Sequence, residues 1–213
     1  MTVNYAAIYK NLADIYRMNW IQHPVILESA RVRLVPLAHE HFDELITASS
    51  DEQVWEFLSK SGYDADVLRT ELQSALLKRM NGEEYPFVII DKLTNKIIGC
   101  TRYMDIYPEH RKLEIGWTWY NPAYWGTGYN NECKLLLLTH AFEVLQCVRV
   151  CFKTWDKNQR SRAAILKIGA QYEGTLRNER IRYDGTIRNT LVFSIIDAEW
   201  QDVKANLINI MAN

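Results

Sequence analysis

Cysteine is scarce in this chain of 213 residues, and the four present, Cys100, Cys133, Cys147 and Cys151, form neither a Cys-x-x-Cys pair nor a zinc-like spacing. Three of them sit in apolar runs, where a reduced thiol packs as a small hydrophobe, so a disulfide framework is not expected and a reducing compartment is. The net charge is only -1, which leaves no concentrated positive field for nucleic acid or an anionic membrane. No apolar run is long enough to span a bilayer. The stretch from Met1 to Trp20 lacks a basic start followed by a continuous apolar segment, so a cytoplasmic location is expected. Repeats, low-complexity tracts and long polar linkers are also missing. His39 and His41 form a His-x-His pair without accompanying carboxylates or cysteines, so no metal site is expected.

What is present is the balance of a globular protein, 48% hydrophobic and 24% charged residues, enough to bury a sizeable core. Tyr5, Ile8, Tyr9, Leu12, Ile15, Tyr16 and Met18 recur at helical spacing and predict an amphipathic helix over the first twenty residues. Residues 1–22 are therefore read as a helical appendage to a single domain over 23–213; a packed arm and a homodimer contact would equally cover its apolar face. Downstream, strands are expected at Val25 to Leu37, Pro86 to Ile90, Lys96 to Tyr103, Lys112 to Tyr120, Val148 to Trp155, Gln171 to Arg182 and Thr190 to Ile196. Helices are expected at His39 to Ala48, Asp51 to Lys60, Asp66 to Met80, Asn130 to Leu145, Asn158 to Ile168 and on the tail stripe of Trp200, Val203, Leu207 and Ile210. The chain is α/β. Strict alternation from Lys112 to Tyr120 puts Leu113, Ile115, Trp117 and Trp119 on one face and Glu114, Gly116, Thr118 and Tyr120 on the other.

The segment Trp125-Gly126-Thr127-Gly128-Tyr129-Asn130 lies between a strand and a helix. Unpaired amides at a helix N-terminus, added to the helix dipole, make a seat for phosphate oxygens, and glycine lets backbone approach the anion. A lone Gly-x-Gly is more often just a tight turn, so its context matters. That context is ordered: Arg31-Val32-Arg33-Leu34, then Leu113-Glu114-Ile115-Gly116-Trp117, the glycine loop, Asn158-Gln159-Arg160-Ser161 followed by Lys167-Ile168-Gly169-Ala170, and Ser194-Ile195-Ile196-Asp197-Ala198-Glu199-Trp200. Over residues 25 to 200 the chain resembles the GNAT superfamily of acyl-CoA-dependent N-acyltransferases, and within it the RimJ/RimL-like branch of protein N-terminal acetyltransferases. The chain departs from that pattern in three places. Trp125 stands where the superfamily loop usually has Arg or Gln, Asn130 where it ends in Gly or Ala, and Ile165 where many members carry a tyrosine that protonates the departing thiolate.

The resemblance implies a central mixed, mostly antiparallel, splayed β-sheet flanked by helices, here with an extra N-terminal helix. It implies acetyl-CoA as the acyl donor and an amine, a peptide N-terminus or a small molecule, as the acceptor. It implies a cofactor-binding set of Thr118, Trp119, Tyr120, Trp125, Gly126, Thr127, Gly128, Tyr129, Asn130, Asn158, Arg160, Ser161 and Arg162, with the pantetheine arm pairing like an added strand beside Thr118 to Tyr120. Transfer needs a neutral amine, a stabilised oxyanion and a proton for sulfur. Glu114 is the candidate base, set against an ordinary salt-bridged glutamate, and Ser161 the candidate proton donor, set against first-turn helix chemistry capped by Asn158. Arg160, Arg162, Lys134 and Lys167 are either phosphate partners or a wet helix face.

No cysteine has the adjacent base that an acyl-cysteine relay requires, so direct attack by the bound amine is expected. The expected function is thus an N-acetyltransferase. A non-catalytic acyl-CoA-responsive module, an enzyme using another donor such as succinyl-CoA, and a nucleotide-binding enzyme built on the glycine loop are the alternatives. The last is disfavoured because the loop lacks both a P-loop Lys-Ser/Thr ending and Gly-x-Gly-x-x-Gly spacing.

Overall fold

The computed structural model describes residues 20–58 and 62–212. The helix expected over the first twenty residues lies outside them, save for Trp20, which packs against the core. Strands β1 (Leu27–Glu28) and β2 (Val32–Pro36) form a tight hairpin where the sequence predicts one continuous strand; the reversal is held by the Ser29 amide donating to the Val32 carbonyl. A 3-10 turn at His39–His41 leads into α1 (Phe42–Ala48). The helix predicted from Asp51 reduces, within the described residues, to one 3-10 turn, Glu52–Val54. The Trp55 indole is buried and donates to the Ser49 carbonyl, which pins the chain in a compact turn instead of a continuing helix.

Helix α2 (Ala65–Met80) starts at Asp64, whose carboxylate accepts from the amides of Asp66 and Val67. Then come β3 (Tyr85–Asp91), β4 (Lys96–Tyr107), β5 (Lys112–Tyr120), α3 (Tyr129–Thr139) with a π-helical turn at His140–Val144, β6 (Arg149–Trp155), α4 (Gln159–Lys167), β7 (Gln171–Ile181), β8 (Ile187–Ile196) and α5 (Trp200–Ala212). All eight strands form one sheet in the order β1-β2-β3-β4-β5-β6-β8-β7. Every pairing is antiparallel except β5 with β6. That parallel pairing runs only from Lys112–Glu114 against Arg149–Cys151, after which the two strands part. The sheet is therefore mixed, mostly antiparallel and splayed.

One core lies on the face covered by α3, α4 and α5, built around Phe87, Leu113, Ile115, Leu137, Phe152 and Phe193. The other lies beneath α1 and α2, around Leu37, Leu45, Leu72, Val88, Trp55 and Trp119. These assignments correct the alternation expected for β5. Trp117 has a positive φ of 49°, and the register with β4 slips between Cys100 and Arg102. Leu113 and Ile115 face α3 before this bulge, whereas Tyr120 and Thr118 face it afterwards, leaving Trp117 and Trp119 on the α1/α2 side with Glu114.

His140, 8% exposed in the π-helical turn, stacks on Tyr103, whose hydroxyl lies 3.2 Å from Nδ1. Burial lowers its pKa to about 4. A depressed folded pKa means that the unfolded chain takes the proton first, so stability is lost as pH falls from about 6.5 toward about 4. The accumulated loss is on the order of 3 kcal/mol. In urea titrations at pH 7 and pH 4.5, His140→Gln is expected to show a markedly smaller acid decrement than the wild type.

Candidate active site

The parting of β5 and β6 opens a cleft of about 430 Å³ between the sheet and the first turns of α3 and α4. Its mouth is the loop from Asn121 to Gly128. Asn121 anchors the loop through the Ala48 carbonyl, and the Trp125 indole donates to the Tyr120 carbonyl at 3.1 Å. Gly126 and Gly128 take positive φ values of 74° and 90°, which turn successive N–H groups toward one side. Among the described residues the amides of residues 126–130 have no acceptor. Of these residues, Gly126, Gly128 and Asn130 line the cleft, at the N-terminus of an 11-residue helix. Arg31 braces this loop from the β1–β2 hairpin: it pairs with Glu132 in the first turn of α3, donates to the Thr127 carbonyl at 3.2 Å and covers the Tyr129 ring.

Of the residues singled out in the sequence, Glu114, Thr118, Trp119, Tyr120, Trp125, Gly126, Gly128, Asn130, Asn158, Arg160 and Ser161 line this cleft together. Thr127, Tyr129 and Arg162 do not. The Tyr129 side chain turns inward and donates to Asp91 Oδ1 at 2.8 Å, and the Thr127 hydroxyl closes its own turn on the Tyr124 carbonyl. The departure at Trp125 has a structural answer, because the Arg160 guanidinium stacks on its ring at 3.6 Å and so brings a positive charge to the mouth. Asn158 caps α4 by accepting from the Ser161 amide at 2.9 Å, the local role weighed above for this motif. Lys134 is not on a wet helix face: it is buried, and its ammonium donates to Thr118 Oγ1.

Glu114 is 7% exposed and pairs with Lys153 Nζ at 2.7 Å, while the same ammonium holds Asp105 at 2.7 Å. Burial raises the Glu114 pKa, with Lys153 acting in the opposite sense. The salt-bridged reading and the cleft-facing reading are thus both realised in one side chain. Gly116 makes room for it: a Cβ there would meet Glu114 Oε1 at 2.8 Å and Met104 Sδ at 3.0 Å. Lys153 also lines the cleft and is not among the residues that the sequence singles out. The signal for Lys153 existed, since Val150 and Phe152 alternate into the core and leave Lys153 for the other face. The cysteines stay inert: burial pushes Cys133 and Cys147 up to about 12 and Cys100 up to about 11. Among the described residues there is no cluster of three or more His, Cys, Asp or Glu side chains that could hold a metal, and no helix long and apolar enough to cross a membrane.

A splayed sheet with a bulged strand, unpaired amides at a helix start and a cleft along the open strand edge make a site shaped for an extended, anion-bearing ligand. The acetyltransferase (GNAT) domain family matches residues 31–171, and the chain belongs to that family. In structure it is similar to a GCN5-related N-acetyltransferase from Brucella melitensis, with 29% identity, a TM-score of 0.81 and coverage of 88% of this chain and 85% of that one. It shares its fold with the ribosomal-protein-S5-alanine acetyltransferase from Vibrio fischeri, at 16% identity and a TM-score of 0.70 over 82% of this chain and 98% of that one. In sequence it is 24% identical over 174 residues to the uncharacterised N-acetyltransferase YoaA of Bacillus subtilis, spanning 80% of this chain and 96% of YoaA.

Proposed function

We propose that the protein transfers an acetyl group from acetyl-CoA to a primary amine, by direct attack in a ternary complex. The observation that carries this reading is the run of amides at residues 126–130, without acceptors among the described residues, of which Gly126, Gly128 and Asn130 line a cleft bordered by an unpaired strand edge. These amides suit a diphosphate, and the β5 edge from Thr118 to Tyr120 suits the amide groups of a pantetheine arm. Asn158, Arg160 and Ser161 flank the same path, with Arg160 supplying a charge-assisted contact. Thr127 and Tyr129 would contribute backbone only, and Arg162 is left at the periphery.

Glu114 collects the proton of the attacking amine, directly or through water. Its carboxylate borders the cleft, its burial raises its basicity, and Lys153 keeps the ionised form available. The acceptor is a protein N-terminal α-amine or a small amine; an α-amine titrates near about 8 and so needs little help to become neutral. Exposure of the purified protein to acetyl-CoA with peptide amines, polyamines and aminoglycosides tests the transfer. Acetylation of at least one acceptor class is expected, and none despite demonstrated CoA binding would overturn it. The cofactor half is tested separately by calorimetry. Gly128→Val forces a β-branched residue into φ 90° with its Cβ 3.0 Å from the Arg31 guanidinium, and is expected to weaken CoA binding by about tenfold or more.

A further inference from the structure

The floor of the cleft carries a charge that the reading above does not use. Lys134, on α3, is 6% exposed and lines the cleft, and its ammonium has a single hydrogen-bond partner among the described residues, Thr118 Oγ1 at 3.1 Å. Thr118 in turn shares a hydrogen bond of 2.7 Å with Thr101 Oγ1, so the partner is a neutral hydroxyl chain with no carboxylate in it. A buried ammonium without an anion costs several kcal/mol, and proteins retain such a group where an anion arrives later.

Position narrows what that anion is. Lys134 lies six residues into the helix from Gly128, about 9 Å along its axis, so it stands well past the amides that suit phosphates. Its partner Thr118 follows the bulge and lies two residues beyond Gly116, between the last β5–β6 pair at Glu114 and the strand end at Tyr120. An acyl-CoA arm laid along this edge from the loop toward the parting of the strands carries its sulfur end past Lys134. Across the cleft, Ile165 of α4 is an apolar side chain that can give no proton.

We propose that Lys134 Nζ is the acid that protonates the departing CoA thiolate, a role that rests on the acyltransferase reading given above. As the amine nitrogen bonds to the carbonyl carbon, the carbon–sulfur bond breaks and its electron pair stays on sulfur. Lys134 gives sulfur one proton and becomes a neutral amine, while the attacking amine gives one proton to Glu114. Water returns the second proton from Glu114 to Lys134, so the sum is an amide and a free thiol. Burial lowers the Lys134 pKa to about 8, close to the roughly 8.5 of an ordinary alkyl thiol, so the transfer is nearly isoenergetic. A serine hydroxyl such as Ser161 is a far weaker acid.

The titratable groups around the ammonium do not compete. Cys133 on its own helix and Tyr120 on β5 are held neutral by burial, as is Tyr103 on β4. Glu114 and Lys153 pair with each other on the opposite sheet face, and Lys167 and Arg160 of α4 add only like charge.

The test has a readout that does not depend on turnover. The thiol of bound CoASH is titrated through its ultraviolet thiolate absorbance in the wild type, Lys134→Met and Ser161→Ala. Loss of the ammonium is expected to raise the bound thiol pKa by about one unit or more, whereas Ser161→Ala leaves it unchanged. In steady-state assays Lys134→Met is expected to lose about 10²-fold in kcat with little change in CoA affinity. The wild-type kcat should fall above about pH 8 as Lys134 deprotonates, a limb absent from the variant. Lys134→Gln serves if the Met variant does not fold. Unchanged thiol acidity in a folded, CoA-binding variant overturns the assignment, as does a loss confined to CoA affinity. Failure of the wild type to acetylate any amine, with the thiol shift intact, would instead strike the acyltransferase reading.

Discussion

Glu114→Gln is expected to lower kcat by about 10²–10⁴-fold while leaving the CoA dissociation constant within about threefold. The substitution keeps the shape of the side chain and a hydrogen-bond acceptor for Lys153, and removes only the basicity. Lys153 still holds Asp105 at 2.7 Å, so the ammonium is not orphaned and the fold should survive. The pH profile supplies a second readout. A base works only when ionised, so kcat/KM of the wild type falls as pH drops through the Glu114 pKa, which burial lifts above the ordinary carboxylate range. In Glu114→Gln that acid limb disappears. Wild-type turnover in the variant would remove Glu114 from the mechanism and leave it as one arm of an ion pair.

The largest expected stability effect lies behind the bulge. Arg102 of β4, with a side chain 1% exposed, donates to Glu84 at 2.8 Å and Glu71 at 3.3 Å, and its guanidinium lies 3.9 Å from the centre of the Trp117 ring. Its Nε and Nη2 are buried without partners among the described residues. Glu84→Leu leaves the buried guanidinium with Glu71 at 3.3 Å as its remaining carboxylate among the described residues, at a cost of about 3 kcal/mol, or roughly 10 °C in Tm for a chain of this size. Arg102→Met should cost less, because Glu84 keeps Lys78 at 2.7 Å. Thermal unfolding of the two variants checks the order. An equal or reversed ranking would mean that Glu71 and the Trp117 ring alone suffice to hold the guanidinium.

How much of this was legible beforehand depends on whether a feature is local. The glycine loop, the Asn158 cap and the hairpin around Tyr183-Asp184-Gly185 follow from turn and cap chemistry within a few residues, and all three stand where the sequence puts them. The helix expected from Asp51 did not form through the described residues, since the packing of Trp55 on Trp117 and Trp119 of β5, with its indole bonded to the Ser49 carbonyl, overrides a helical-looking spacing. The β5 alternation failed for a related reason. Nothing within Lys112 to Tyr120 announces a positive φ at Trp117; Arg102, from a neighbouring strand, is what covers that ring. Lys134 reads as a charge on a helix, and only the packing of α3 against Thr118 turns it inward.

The side switch at Trp117 divides labour along a single strand. On the proposed reading, positions 114 and 116 look toward the acceptor side of the cleft and positions 118 and 120 toward the helix beside the donor. A side chain introduced at Gly116 would therefore displace Glu114 with the helix-facing positions left in place, and deleting one residue at the switch would scramble both faces at once.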